Sequence, residues 1–199
     1  MALRGGTRRD QRPCRRASST ASACRARGAQ QAVQSAAEQQ VRELCETILC
    51  YPPGAVHVTL QNGQVATLDS DFPLPIVDHD IVYAFPGKTI FIAGDVKDGK
   101  VVNLHAVAAP EKPQNVLRVH LFQEAGKPAT FLTITNYFGV PVKYQAGMRL
   151  PQKQDFLSTS TCPVRARGSA SRESWPHPIF QLALHDFEVL GKGVAASCD

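Results

Sequence analysis

Three histidines, His57, His105 and His120, are the side chains of this 199-residue sequence with the most direct chemical use. Each falls on the alternation phase opposite, or at least not matching, the clearest apolar positions of its segment, which places it on a polar sheet face. If their strands are neighbours, two or three imidazoles converge on copper or zinc, with Met148 as a soft additional ligand for copper. The spacing is not a metal motif, and scattered surface histidines are far commoner than ligand sets. Asp78-His79-Asp80 is the densest run of ligand-type residues. Neighbours on a strand point to opposite faces, so these three share an ion only across a turn, and a solvated loop after Pro73 and Pro75 is the simpler account.

Nucleophilic chemistry finds less support. The long polar stretch before the last strand offers several Ser together with His177, and His185-Asp186 follows it, but no GxSxG elbow occurs. Gly168-Ser169-Ala170-Ser171 lacks the closing glycine that elbow requires. Cys162 and His177 form a conceivable thiolate pair, but residues of one loop fix no distance, and a disulfide or buried thiol is the simpler reading. Phosphate loops and paired-carboxylate spacings are absent. The expectation is a protein that is not an enzyme and carries no cofactor.

The same stretch, from Leu150 to Pro178, has the composition of a recognition surface. It exceeds the usual length of a passive connection. Arg165, Arg167 and Arg172 suit an acidic partner, and Trp175, the only Trp in the chain, is of the type that anchors interfaces. The competing reading packs Trp175 inward over one end of the fold, with the arginines merely solvated.

The elements that must position these residues are mostly strands. Val33, Ala37, Val41, Leu44 and Ile48 recur at steps of three and four, which predicts one amphipathic helix within 32–50, with Ser35 and Glu38 as a capping box. Tyr51-Pro52-Pro53-Gly54 stops it. From Ala55 the period changes to two. Asn62-Gly63 predicts a two-residue hairpin turn, and Asp98-Gly99 predicts a second between arms 89–96 and 100–107. Further strands are expected over 81–85, 115–123, 129–136, 140–149 and 178–190, separated by turns such as Glu124 to Pro128. Roughly eight strands with this turn spacing predict an all-β domain over 55–190, an immunoglobulin-like antiparallel β-sandwich, with a closed barrel as the alternative.

Charge and cysteine divide the chain differently. Residues 1–37 hold eight Arg and one acid, a charge of +7, out of a total of +5, so residues 38–199 carry −2. The folded part is therefore mildly acidic, and no nucleic-acid partner is expected for it. The segment 1–31 reads as a disordered basic tail, a targeting segment or an incorrectly assigned start. No apolar run is long enough for a transmembrane helix or for the core of a signal peptide. Residues 191–199 are expected to be flexible. Of six cysteines, Cys14 and Cys24 lie in the tail and Cys198 beside the C-terminus. Among Cys45, Cys50 and Cys162 the expected bond is Cys50 to Cys162, because a Cys45–Cys50 bond requires the helix to end first, and the alternative is three reduced, buried thiols of a cytosolic protein. These observations together predict a periplasmic or secreted, non-enzymatic protein that binds a protein partner through the 150–178 loop. The alternative is a small copper- or zinc-binding protein using His57, His105 and His120.

Overall fold

The structure, a computed structural model, describes residues 36–191 and 197–198. The basic tail, Val33, Ser35, Cys14 and Cys24 lie outside the described residues, as does most of the segment after 191. The chain divides at Gln40 into two units. Of the first, residues 36–40 are described; they are helical and exposed, and the helix (α1) ends at residue 44. Leu44 is exposed. The expected stripe is therefore cut short, and no helical face extends to Ile48.

Among the described residues of the second unit there are fourteen strands. They are β1 (Cys50–Tyr51), β2 (Gly54–Thr59), β3 (Val65–Ser70), β4 (Leu74–Pro75), β5 (Val77–Asp78), β6 (Ile81–Ala84) and β7 (Lys88–Lys97). After them come β8 (Lys100–Val107), β9 (Val116–Gln123), β10 (Thr130–Asn136), β11 (Val142–Arg149), β12 (Leu157–Thr159), β13 (Ser169–Trp175) and β14 (Gln181–Val189). All the pairings are antiparallel. The fold is all-β, as the alternating pattern requires.

One ten-stranded sheet follows the path β12-β11-β14-β8-β7-β9-β10-β13, with β6 also on β14 and β5 on β6. An immunoglobulin domain divides its strands between two separate sheets. Here the pairing passes from one half to the other through a single pair, Glu188 with Lys100. Both halves contribute to one core: Leu117, Val119 and Leu121 of β9 and Leu132 and Ile134 of β10 join Tyr144 and Ala146 of β11 and Leu182 and Leu184 of β14. Full burial of each large aliphatic side chain is worth about 1.5–3 kcal/mol. Two sections of sheet facing one core is sandwich-type packing.

The two hairpin turns differ. Asp98 and Gly99 both have positive φ, 50° and 76°, and Lys97 pairs with Lys100, so this is the expected two-residue turn. In the other hairpin Thr59 pairs with Val65, and Leu60 N–H bonds Gln64 O at 2.7 Å. That leaves Gln61, Asn62 and Gly63 as a three-residue turn. Gly63 takes the left-handed position at φ 79°, as in a type I turn closed by a bulge. Asn62 instead uses its side-chain oxygen to accept the Gln64 N–H at 3.0 Å.

Between β7 and β8 the register shifts beside Gly94, and Asn103 has φ 54°. A Cβ on Gly94 would meet Leu104 Cδ2 at 2.9 Å, Val101 Cγ1 at 3.0 Å and the Val102 carbonyl at 3.1 Å. The bulge and the glycine fit one another. Gly94→Ala is expected to destabilise by about 1–3 kcal/mol through overpacking, read as a lower guanidinium midpoint at unchanged slope.

Candidate functional site

The segment from Leu150 to Pro178 is not the strandless loop its composition suggested. It supplies β12 and β13, the strands at the two ends of the sheet path. Lys153 N–H closes a turn on Leu150 O at 3.0 Å, β12 then pairs with β11, and Val164 bridges to Val142. Arg167 and Gly168, at φ 61° and 80°, turn the chain into β13. Their N–H groups reach Phe138 O at 3.0 Å and Asn136 O at 2.6 Å. From there β13 runs in unbroken register along β10, from Ser169 opposite Asn136 to Trp175 opposite Thr130.

This register sorts the side chains onto two faces. Glu173 lies opposite Leu132, and Ser171 opposite Ile134, so they share the core face. Arg172 lies opposite Thr133, which lies opposite His120, which lies opposite Thr89, so these four form one row across the outer face. The adjacent row holds Phe122 opposite Phe131, and the row on the other side holds Phe91, Arg118 and Thr135.

Aromatic groups on the outer face are stacked. The His120 ring lies 4.9 Å from Phe122, and Phe122 lies 5.4 Å from Phe131, with interplanar angles of 17° and 22°. The Arg172 guanidinium sits over the Phe122 ring at 5.9 Å. His120 Nδ1 is hydrogen-bonded to Thr89 Oγ1 at 2.9 Å, which fixes the ring direction. A cation over an exposed ring is worth about 0.5–1 kcal/mol, so the stack is held mainly by its strand register. The result is a contiguous patch of three rings with Arg172 above it and Arg118 in the neighbouring row.

The core face of β13 is polar at its centre. Glu173 Oε1 accepts the Tyr144 hydroxyl at 2.6 Å and the Cys162 N–H at 2.9 Å, while its Oε2 is buried with no partner. Burial pushes the Glu173 carboxyl above the usual carboxylate range, against the opposing effect of the two hydrogen bonds. Burial likewise raises the Tyr144 hydroxyl, helped by the Glu173 charge. Thr161 donates its hydroxyl to Tyr144 O, and the Trp175 indole N–H donates to Thr159 Oγ1 at 2.8 Å. Glu173 and Trp175 thus tie β13 to β11 and β12 from inside.

The residues expected to bind a partner therefore separate. Arg165 and Arg167 are exposed ahead of β13, Arg172 is exposed on the outer face, and Trp175 is 8 % exposed within the core cluster. Trp175 holds the scaffold and presents little to a partner.

The three histidines do not converge. His57 lies on the β2–β3 hairpin, a separate sheet, bonded to Thr67 Oγ1 at 3.0 Å. His105 and His120 flank β7 from opposite sides, opposite Ala93 and Thr89. Four residues along a strand add about 13 Å to that separation. His79 and Asp80, both at positive φ, form the turn between β5 and β6, and Asp80 accepts the Leu104 N–H at 2.9 Å. Among the described residues no three His, Cys, Asp or Glu side chains form a metal-binding group.

The disulfides also differ from expectation. Cys50 bonds Cys45, not Cys162, and Cys162 bonds Cys198. The helix ends at residue 44, so residues 45–49 turn back and bring Cys45 and Cys50 to a Cα separation of 5.6 Å. Met148, expected beside the three histidines, instead contacts His177: Sδ and Nε2 lie 3.4 Å apart. Both line a cavity of about 510 Å³ between the two ends of the 150–178 segment and the β2–β3 turn. Its walls include Leu60, Leu150, Pro151 and Pro178, with Lys153 among its polar groups.

Sequence reasoning missed the Phe122–Phe131 pair and the Tyr144–Glu173 pair. The first had a signal, because Leu117, Val119 and Leu121 and then Leu132 and Ile134 mark the inward phases of two strands joined by a short turn, which leaves Phe122 and Phe131 together on the outer face. The second had none, since it joins strands far apart in sequence. No protein-family model, curated protein or solved structure matches the chain. Two disulfides are features of proteins from oxidising compartments. Among the described residues no helix is long and apolar enough to cross a membrane.

Proposed function

We propose that this chain is a non-enzymatic exported protein, periplasmic or secreted, that binds another protein through the 150–178 segment and the sheet face beside it. The observation that carries the reading is the His120–Phe122–Phe131 stack with Arg172 over it, on the outer face of β9, β10 and β13. Aromatic residues and arginine are the types enriched at the energetic centres of interfaces. Arg118 and Arg172 make an acidic partner surface the complementary one. Export is supported by the pair of disulfides, which persist outside the reducing cytosol.

Deleting residues 164–173 would not test this cleanly, because it removes the Val142–Val164 bridge and five of the seven residues of β13. Point changes on the outer face leave those contacts intact. Partners cross-linked to the full oxidised chain in its native source are compared with those of Arg172→Glu and Phe122→Ala. Each change is expected to weaken capture by about thirtyfold, the effect of one interface hot spot of about 2 kcal/mol. Unchanged capture by both variants, with native circular dichroism, rejects this face as the binding surface.

A further inference from the structure

We infer that His177 and Met148 form a binding site for a soft monovalent metal ion, Cu(I), at the wall of the 510 Å³ cavity. The argument begins with the donor atoms. Imidazole and thioether together suit copper, whereas zinc takes nitrogen, oxygen or thiolate and has little use for a thioether. The spacing also fits. With bonds of about 2.0 Å to imidazole nitrogen and 2.3 Å to sulfur, donors 3.4 Å apart subtend about 105° at a shared metal, close to the tetrahedral angle.

Both ligands stand on constrained backbone. Met148 lies within β11, paired with Leu157 on one side and Leu182 on the other. His177 has Pro176 before it and Pro178 after it, which restricts its own conformation. Thr130, fully buried, clamps it further: the hydroxyl donates to His177 O at 3.0 Å and accepts the Ile179 N–H at 3.1 Å. A buried hydroxyl holding the ligand's backbone is the kind of support that preorganises a metal site.

The cavity supplies the remaining coordination space. Because both donors line it, a third ligand from solution or from a metal-delivering partner can approach from that side. Lys153 lines the same cavity, and its charge opposes a divalent ion twice as strongly as a monovalent one. Binding requires the His177 Nε2 lone pair, so the ring proton sits on Nδ1 in the metal-bound form.

The test uses the full chain with both disulfides formed and with Cys14→Ser and Cys24→Ser, because tail thiols would take Cu(I) themselves. Cu(I) is supplied anaerobically as its acetonitrile complex, without thiol reductant, in competition with bicinchoninate. The sequence contains two methionines, so the Met148 methyl resonance is identified by its loss in Met148→Leu. The expected result is that this resonance shifts with the first equivalent of Cu(I) and not with Zn(II), and that Met148→Leu and His177→Asn each weaken binding at least tenfold. A methyl resonance that Cu(I) leaves in place overturns the proposal, as does equal binding by parent and both variants. If a variant fails to fold, the methyl shift of the parent decides alone. The outer-face residues take no part in this cavity, so this outcome is separate from that of the partner-binding test.

Discussion

Glu173→Ala is expected to lower stability by about 3–5 kcal/mol, among the largest effects of any single change in this fold. The substitution removes the acceptor shared by the Tyr144 hydroxyl and the Cys162 N–H. A buried donor left without a partner costs about 1–3 kcal/mol, and here there are two, one on β11 and one in the turn region before β13. Glu173→Gln keeps an acceptor oxygen in place and removes the charge, so its cost is expected to be less than half as large.

The charge itself gives a pH signature. Burial raises the Glu173 carboxyl in the folded state above its unfolded value. The stability linked to this proton is then fully present below the unfolded carboxylate pKa and is lost as pH rises through the folded value. Relative to the parent, Glu173→Gln should therefore gain stability between acidic and neutral pH. Guanidinium unfolding of both proteins at pH 4 and pH 8 measures it. A stability difference that is the same at both pH values would show that the Glu173 carboxyl titrates alike in the folded and unfolded chain, and would overturn the raised value.

Glu173 also explains which parts of the fold were legible. Local pairings were: Asp98-Gly99 fixes β7 against β8, and a short turn joins β9 to β10, although Gln123 pairs with Thr130 and not with Ala129, one residue beyond the register that a turn from Glu124 to Pro128 gives. Strand β13 was hidden because its central core-facing positions are Ser171 and Glu173, where a sheet buried on one face ordinarily shows apolar residues. Its stability comes from backbone pairing with β10, from Trp175 at its end and from the Tyr144–Glu173 bond, and none of these leaves an alternating apolar pattern. The candidate binding face follows the same division. Phe122 and Phe131 were within reach of register reasoning, whereas Arg172 joins them only through β13. Arg165, Arg167 and Arg172 were picked out by composition, but sequence could not show that Trp175 and Arg172 belong to opposite faces of one strand. The hairpin at Asn62-Gly63 shows a subtler limit. The dipeptide signals a turn correctly, yet Asn62 spends its side chain on the Gln64 N–H, and the turn takes three residues.

Removing the Cys162–Cys198 bond is expected to cost more than removing Cys45–Cys50. The two bonds close 36 and 5 residues of chain. On the chain-entropy account these loops correspond to about 4 and about 2 kcal/mol. Paired Cys→Ser variants, compared by guanidinium unfolding, give the order directly, and an equal or reversed order would mean that loop entropy is not the main contribution. The Cys162 bond carries a second consequence, because the Cys162 N–H is one of the two donors on Glu173. Releasing the bond frees the segment that presents that donor, so the losses from Glu173→Ala and from Cys162→Ser with Cys198→Ser should overlap. A double-mutant cycle is expected to show coupling of about 1–2 kcal/mol. Simple additivity would mean that the Val142–Val164 pairing and the Thr161 hydroxyl on Tyr144 O hold the Cys162 backbone in place, independent of the bond to the C-terminus.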